Sequence, residues 1–328
     1  MSKFYGKLAG YGKALPERVI TNEELASKVD TSDEWITERT GIKQRHVVSD
    51  NEHCSTLATD ASRIALEKAG ISGNELDLII VATSSPDYLT PPVSSQVQHA
   101  LGATKAGAFV MVVGCTGFVT SLITADQFIR SGKYKNVLVV GVEVITRMIN
   151  WEDRNTCVLF GDGAAAVVLQ ATEEITGLLS HMMGSDGSGW EHILHPSGGT
   201  KNPPTHETLD AGLQYLTMNG REVFKFATST MGKALGTVLE EANLTIDDID
   251  LFIPHQANAR IIEYAAKSVN LPPEKVFVNV NKYGNTSAAS VPIAITEAFD
   301  EGRLKEGDIL ALVGFGAGLT WAACIMKV

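Results

Sequence analysis

LEKAGISGNELDLII, Leu66 to Ile80, returns as LEEANLTIDDIDLFI, Leu239 to Ile253, at an offset of 173 residues. Each copy reads as a helix end, a turn and a buried apolar strand. Further landmarks recur in the same order. GCT at Gly114 to Thr116 lies 170 positions before GNT at Gly284 to Thr286; both open apolar-periodic helices, which end alike at Gly132 and Gly302. VLVVG (Val137 to Gly141) then matches ILALVG (Ile309 to Gly314), and FGDGA (Phe160 to Ala164) matches FGAGL (Phe315 to Leu319). Ordered recurrence at a near-constant offset is the signature of duplication. It places two similar halves at 1–172 and 173–328.

Helical patterns alternating with short apolar runs predict buried, largely parallel strands covered by helices. In a duplicated α/β protein, equivalent positions face each other across a pseudo-twofold axis. Cys115 and Asn285 are such a pair. His255 falls two residues past the second copy of the repeated strand, at a carboxyl end, where α/β proteins carry their chemistry.

Of the 328 residues 44% are hydrophobic and 20% charged, a composition that predicts a folded protein rather than a disordered one. A net charge of −11 without a basic block argues against nucleic acid as the main partner. Cys54, Cys115, Cys157 and Cys324 show no paired spacing, and MSKFYGKLAG lacks an apolar signal core. Both features predict a reducing, cytoplasmic setting. The apolar run from Ile309 to Met326 has the length of a short membrane span, but Gly314, Gly316 and Gly318 within it predict two buried strands and a turn.

Cys115 sits between the apolar run FVMVVG and the helix TGFVTSLITADQFIRSG. A sulfur at a helix amino end meets unpaired N–H groups and the helix dipole, which lower a thiol pKa. A buried structural cysteine is the competing reading. His255 lies in IPHQANARII, a rigid strand-to-helix corner, and Asn285 opens a helix, where it also suits a plain N-cap. Together a thiol, an imidazole and a carboxamide supply a thioester former and two hydrogen-bond donors for a developing oxyanion. No HExxH or Cys/His metal spacing is present, and His192 with His195 is a weak local pair; GxSxG, GxxxxGK[ST] and a full GxGxxG are also missing.

The strings TSDEWITERTGI, GCTGF, FGDGAAAVVL, GSDGSG, MNGREVFKFA, PHQANARII, YGNTSAAS and FGAGLTWAA resemble the type III β-ketoacyl-acyl carrier protein synthases of the thiolase superfamily along nearly the whole chain. That resemblance implies a duplicated, five-layered α-β-α-β-α fold, a homodimer and an acyltransferase of fatty acid synthesis. It needs no metal or cofactor beyond the coenzyme A thioester that is its substrate. By resemblance, Cys115 takes an acyl group from acyl-coenzyme A, with the backbone N–H groups of Cys115 and Ala317 holding the oxyanion. His255 and Asn285 then hold the thioester carbonyl of malonyl-acyl carrier protein as carbon dioxide leaves. Trp35 and Arg154 correspond to a pair that stacks on adenine, Arg39 to a phosphate contact, Asn258 to a pantetheine contact and Phe315 to the acyl-pocket border. Lys225, Arg260 and Lys267 correspond to a basic patch for the carrier protein.

The chain departs from the family pattern twice. Val110, Met111, Val112 and Val113 stand where an acidic residue and small alanines are usual, and Ala317 stands in a normally triple-glycine loop. Rival readings are a same-fold paralogue in secondary metabolism or without decarboxylation, a Cys-His-Asn thioester hydrolase, and a non-catalytic scaffold. A biosynthetic thiolase would need a second cysteine in the FGAGL turn, and Cys324 lies six residues past Gly318.

Overall fold

The computed structural model describes residues 3–328. Its repeated strands lie in two sheets. One has the order Tyr5–Ala14, Gly163–Thr172, Asn136–Glu143, Leu78–Ala82, Gly107–Met111. The other has the order Gly177–Ser185, Thr320–Lys327, Ile309–Gly316, Leu251–Pro254. Position for position these are the same arrangement. The first sheet adds Gly107–Met111 at its edge, where the second has only the single bridge between Phe252 and Val276.

The sheets are not largely parallel. Leu78–Ala82 pairs parallel with both neighbours, but Asn136–Glu143, Gly163–Thr172 and Tyr5–Ala14 join antiparallel. The second sheet repeats this: Leu251–Pro254 and Ile309–Gly316 are parallel, and the remaining pairs antiparallel. The sequence misled because strands buried on both faces read as continuous apolar runs whichever way they pair. The glycine turn after Gly316 does join two buried strands, as its composition predicts.

Alternate strand residues face opposite layers. Leu310, Leu312, Cys324 and Met326 join Ile80, Val137, Val139 and Val167 in a central core around the helices Gly117–Arg130 and Ser290–Asp300. A helix between two sheets has no solvent side, and every residue from Ser290 to Ala298 is buried. The opposite sheet faces are covered by Cys54–Ala69 and Val93–Ala100 on one side, and by Gly220–Ala242 and Ala259–Ser268 on the other. The result is five layers, α-β-α-β-α. Among the described residues no helix is long and apolar enough to cross a membrane.

The outer helix Cys54–Ala69 lies directly on strand Tyr5–Ala14. A Cβ at Gly12 would stand 2.6 Å from both the Ala61 carbonyl oxygen and the Ile64 Cβ. Gly12→Ala is therefore expected to cost about 2 kcal/mol through overpacking. Urea unfolding should show a lower midpoint with an unchanged slope; an unchanged midpoint would mean the helix yields freely.

Candidate active site

After strand Gly107–Met111 the chain makes one tight turn, Gly114–Thr116, and enters the helix Gly117–Arg130. Cys115 sits on that turn, pressed by the end of strand Ile309–Gly316. A Cβ at Gly316 would lie 2.8 Å from both the Cys115 nitrogen and its Cβ, so only glycine fits there. On the other side of Cys115, a Cβ at Gly114 would stand 3.2 Å from the Ala317 nitrogen. Ala317 does not take a positive φ, so alanine is tolerated where the family carries glycine. Cys115 is half-buried and lines a cavity. The helix end was expected to lower its pKa; burial pushes the thiol up to about 12 instead, with the charge of Glu143 adding to the rise.

His255 follows strand Leu251–Pro254 and continues its parallel ladder, donating its backbone N–H to Val313 O at 2.7 Å. Its imidazole is buried, with Nδ1 2.6 Å from Ser290 Oγ. That serine oxygen already accepts the Gln256 N–H at 3.3 Å, so its own hydrogen is free for Nδ1. In the tautomer in which Nδ1 accepts that hydrogen, Nε2 carries the proton. Phe315 stands edge-on to the ring, centroids 5.1 Å apart. Burial pulls the His255 pKa down to about 3, leaving a neutral donor. Gln256 fixes the corner, donating to Pro254 O at 2.8 Å and Phe277 O at 3.1 Å and accepting from Asn279 N–H at 3.0 Å.

Asn285 is stitched to the first half: its N–H donates to Leu159 O at 2.8 Å, and its carbonyl accepts from Gly161 N–H at 3.1 Å. Its Oδ1 accepts the Ser287 N–H at 2.9 Å. The oxygen is thus committed, and Nδ2 is the end left to donate.

Cys115, His255, Asn285, Asn258, Phe315 and Ala317 all line one cavity of about 600 Å³. Trp35, Arg39 and Arg154 do not line it and gather beside it. The guanidinium carbons of Arg39 and Arg154 lie 5.0 and 5.4 Å from the Trp35 ring centre. Ser32 caps the helix Asp33–Thr40 that carries Trp35 and Arg39, its side chain accepting from the Trp35 N–H. Asn258, which caps its own helix, ties this cluster to the cavity by donating to Arg39 O at 3.0 Å. Arg154 also holds the Asp30 carbonyl at 2.7 Å. The three basic residues expected to form a patch are mostly compensated. Lys267 pairs with Glu263 at 2.6 Å and Lys225 with Glu222 at 3.9 Å, while Arg260 is exposed on the same helix as Lys267.

Glu143, Ser287 and Ser290 were missed in the sequence. Glu143 alone left a trace there, as a charge ending the apolar strand Asn136–Glu143, and such charges are rarely buried without a purpose. Among the described residues no three His, Cys, Asp or Glu side chains are grouped to hold a metal ion.

A doubled α/β layer structure with a cysteine at one helix opening and an asparagine at its twin is a thiolase-like fold. Residues 109–187 match the family described as 3-Oxoacyl-[acyl-carrier-protein (ACP)] synthase III, and residues 239–328 match its C-terminal part. The chain is 50% identical over 325 residues to the beta-ketoacyl-[acyl-carrier-protein] synthase III of Caldanaerobacter subterraneus subsp. tengcongensis, covering 99% of this chain and 98% of that one. It superimposes on the 3-oxoacyl-[acyl-carrier-protein] synthase III of Aquifex aeolicus VF5 with a TM-score of 0.91 at 45% identity, covering 98% and 100% of the two chains. It also superimposes on the priming beta-ketosynthase of the R1128 polyketide pathway, with a TM-score of 0.92 at 33% identity over 99% and 97%. The chain belongs to the 3-oxoacyl-[acyl-carrier-protein] synthase III family.

His255 makes stability depend on acid in a defined window. Its pKa is about 3 in the fold against an ordinary 6.5, so between those values the unfolded chain binds the proton and the folded chain does not. Its contribution is fully present above 6.5 and is lost as pH falls toward 3. Within that window, His255→Gln should flatten the fall in unfolding free energy by about 1.4 kcal/mol per pH unit relative to wild type. Urea titrations across the window check this; parallel pH dependences would contradict it.

Proposed function

We propose that this enzyme carries an acyl group from acyl-coenzyme A on Cys115 and joins it to malonyl-acyl carrier protein, releasing carbon dioxide and initiating fatty acid synthesis. The Cys115 sulfur attacks the acyl carbon, and the backbone N–H groups of Cys115 and Ala317 hold the oxyanion. After coenzyme A leaves, the malonyl thioester carbonyl accepts from His255 Nε2–H and Asn285 Nδ2–H. Carbon dioxide departs, the enolate is held by those two donors, and its carbon attacks the acyl-cysteine. Neutral donors in a dry cavity suit a charge that appears only along the reaction path, because they need no reorganisation when it forms. Trp35, Arg154 and Arg39 hold the nucleotide end of coenzyme A, Asn258 the pantetheine, and Phe315 bounds the acyl pocket. The observation that carries this reading is the meeting of Cys115, His255 and Asn285, distant in sequence, on one cavity.

The same geometry disfavours a hydrolase. A Cys-His-Asn hydrolase needs its histidine to take a proton, and His255 has Nδ1 occupied by Ser290 and its basicity removed by burial. A priming role in a polyketide pathway is the second reading, favoured by the superposition on the R1128 priming enzyme. The two differ in the carrier protein served rather than in the chemistry.

We further propose cytoplasmic residence, two halves divided at residue 172, and a homodimer joined along the edge strand Gly107–Met111. That strand presents half-exposed Phe109, Val110 and Met111, followed by Val112 at 69% exposure. A bare apolar edge invites pairing, and a second copy offers an identical one. Sedimentation equilibrium should return twice the chain mass, falling to the monomer value in Val110→Lys; a wild-type monomer would end this proposal.

Incubation with acyl-coenzyme A should leave an acyl mass on the peptide containing Cys115. His255→Ala and Asn285→Ala should keep this half reaction while lowering condensation by about 100-fold or more. If the mass lands elsewhere, the nucleophile assignment is wrong; if both variants condense normally, the donor roles are.

A further inference from the structure

Arg45, on the short strand Gln44–His46, is the largest side chain that the fold encloses completely. Among the described residues its guanidinium meets no carboxylate. Nη1 donates to Ile20 O at 3.3 Å and to Asn22 Oδ1 at 2.9 Å, Nη2 donates to Val158 O at 2.8 Å, and Nε has no hydrogen-bond partner. Burial pulls its pKa down to about 10, which leaves the group charged at neutral pH. A full positive charge is thus held on neutral acceptors. Enclosing such a charge is costly, and an apolar side chain of similar volume often serves stability as well or better. Core packing alone gives no reason for an arginine at this place.

What the guanidinium holds is the segment that holds Asn285. Val158 precedes Leu159, whose carbonyl accepts the Asn285 N–H at 2.8 Å, and Gly161 N–H donates to Asn285 O at 3.1 Å. The stretch from Leu159 to Gly161 therefore grips both backbone groups of Asn285. Arg45 ties the start of that stretch to Ile20 and Asn22. Asn22 is itself fixed, its Nδ2 donating to Asp33 Oδ1 and Ile42 O, each at 2.8 Å. The Arg45 stem packs against the same two segments. A Cβ on Gly161 would lie 3.0 Å from the Arg45 Cβ, and one on Gly284, next to Asn285, would lie 3.4 Å from it. Leu159 and Phe160 line the cavity with Asn285, whereas Arg45 does not.

We propose that Arg45 is a positioning residue for condensation: it fixes Val158 O and with it the Leu159–Gly161 stretch, which sets the backbone from which the Asn285 carboxamide donates. The proposal rests on Asn285 holding the malonyl thioester carbonyl. An arginine suits the task because its planar fork reaches three acceptors at once in a fixed geometry, and a charged donor makes the stronger hydrogen bond to a carbonyl oxygen. The other reacting groups are held elsewhere. Cys115 is pressed by Gly316, and the His255 corner is set by Ser290 and Gln256. None of these contacts passes through Arg45, so its loss should reach one half reaction and spare the other.

Single-turnover acylation of Cys115 by acyl-coenzyme A and steady-state condensation with malonyl-acyl carrier protein would be compared in wild type, Arg45→Met, Arg45→Lys, Asn285→Ala and the Arg45→Met/Asn285→Ala double variant. Arg45→Met should acylate Cys115 as wild type does and lose condensation by on the order of 10- to 100-fold, in kcat rather than KM. Arg45→Lys, which keeps the charge and one donor group, should recover part of that loss. In the Asn285→Ala background Arg45→Met should cost nothing further, because the group it positions is gone. Equal losses in both half reactions, or losses that multiply in the double variant, make Arg45 a structural residue and overturn the proposal; so does undiminished condensation in Arg45→Met. If thermal melting shows that Arg45→Met does not fold, the same comparison made with Arg45→Lys, alone and combined with Asn285→Ala, decides. An Asn285→Ala variant that condenses as wild type removes the Asn285 role and this one with it; an impaired Asn285→Ala beside unimpaired Arg45 variants removes this one alone.

Discussion

Around the turns that bear Cys115 and Asn285, strand and turn backbones approach too closely for side chains, and the placement of those two residues follows from that constraint. A Cβ on Gly141 would lie 2.4 Å from the Ala288 carbonyl, and one on Gly316 would lie 2.8 Å from the Cys115 backbone nitrogen. A Cβ at Gly117, in the helix that follows Cys115, would approach Ala82 and Ala288 at 3.0 and 3.4 Å. Backbone lies on backbone from both sides, so the turns bearing Cys115 and Asn285 cannot move independently. A protein interior is dense enough to transmit such a constraint without slack. The reacting groups are therefore held by the core and not by loops.

That tight junction sets the electrostatics. Desolvation is the first cause of the raised thiol pKa at Cys115 and of the lowered pKa at His255. Both shifts favour a neutral thiol and a neutral imidazole at rest, and hydrogen bonds in such a site gain strength when charge appears. Each polar group has its idle end occupied: Ser290 on His255 Nδ1, Ser287 N–H on Asn285 Oδ1, four side-chain and backbone donors on Glu143. His255 and Asn285 line the cavity, while Glu143 is buried behind it. Selection between possible chemistries follows from which end is left free.

Much of this was legible in the sequence because it is periodic or repeated. The matched segments at Leu66 and Leu239 end in the strands Leu78–Ala82 and Leu251–Pro254, which occupy equivalent places in the two sheets. Cys115, His255 and Asn285 stood at turns between apolar runs, and the fold brings those turns together. Strand direction was not legible, since Ile309–Gly316 and Thr320–Lys327 are buried on both faces and lose the alternation that marks antiparallel pairs. Nor was the sign of the Cys115 shift, because local reasoning sees the helix end and not the volume of protein that strips water from the sulfur. Ser287 was invisible for a related reason: a positive φ belongs to the tertiary packing around GNTSAA and not to its composition.

The asymmetry of the chemistry has its own physical basis in the repeat. Counted along equivalent strands, Glu143 of the first half corresponds to Gly316 of the second, since Asn136–Glu143 and Ile309–Gly316 share one place in their sheets. Both strand ends reach across the junction. Gly316 lies against Cys115, and Glu143 holds Ser287 beside Asn285. At the next pair of equivalents, His255 answers to Ala82, whose methyl group packs against Gly117. Two copies of one scaffold thus offer the same crossing points. The first half places a thiol and a carboxyl at its points, the second an imidazole and a carboxamide, so one scaffold used twice brings four different groups to its junction.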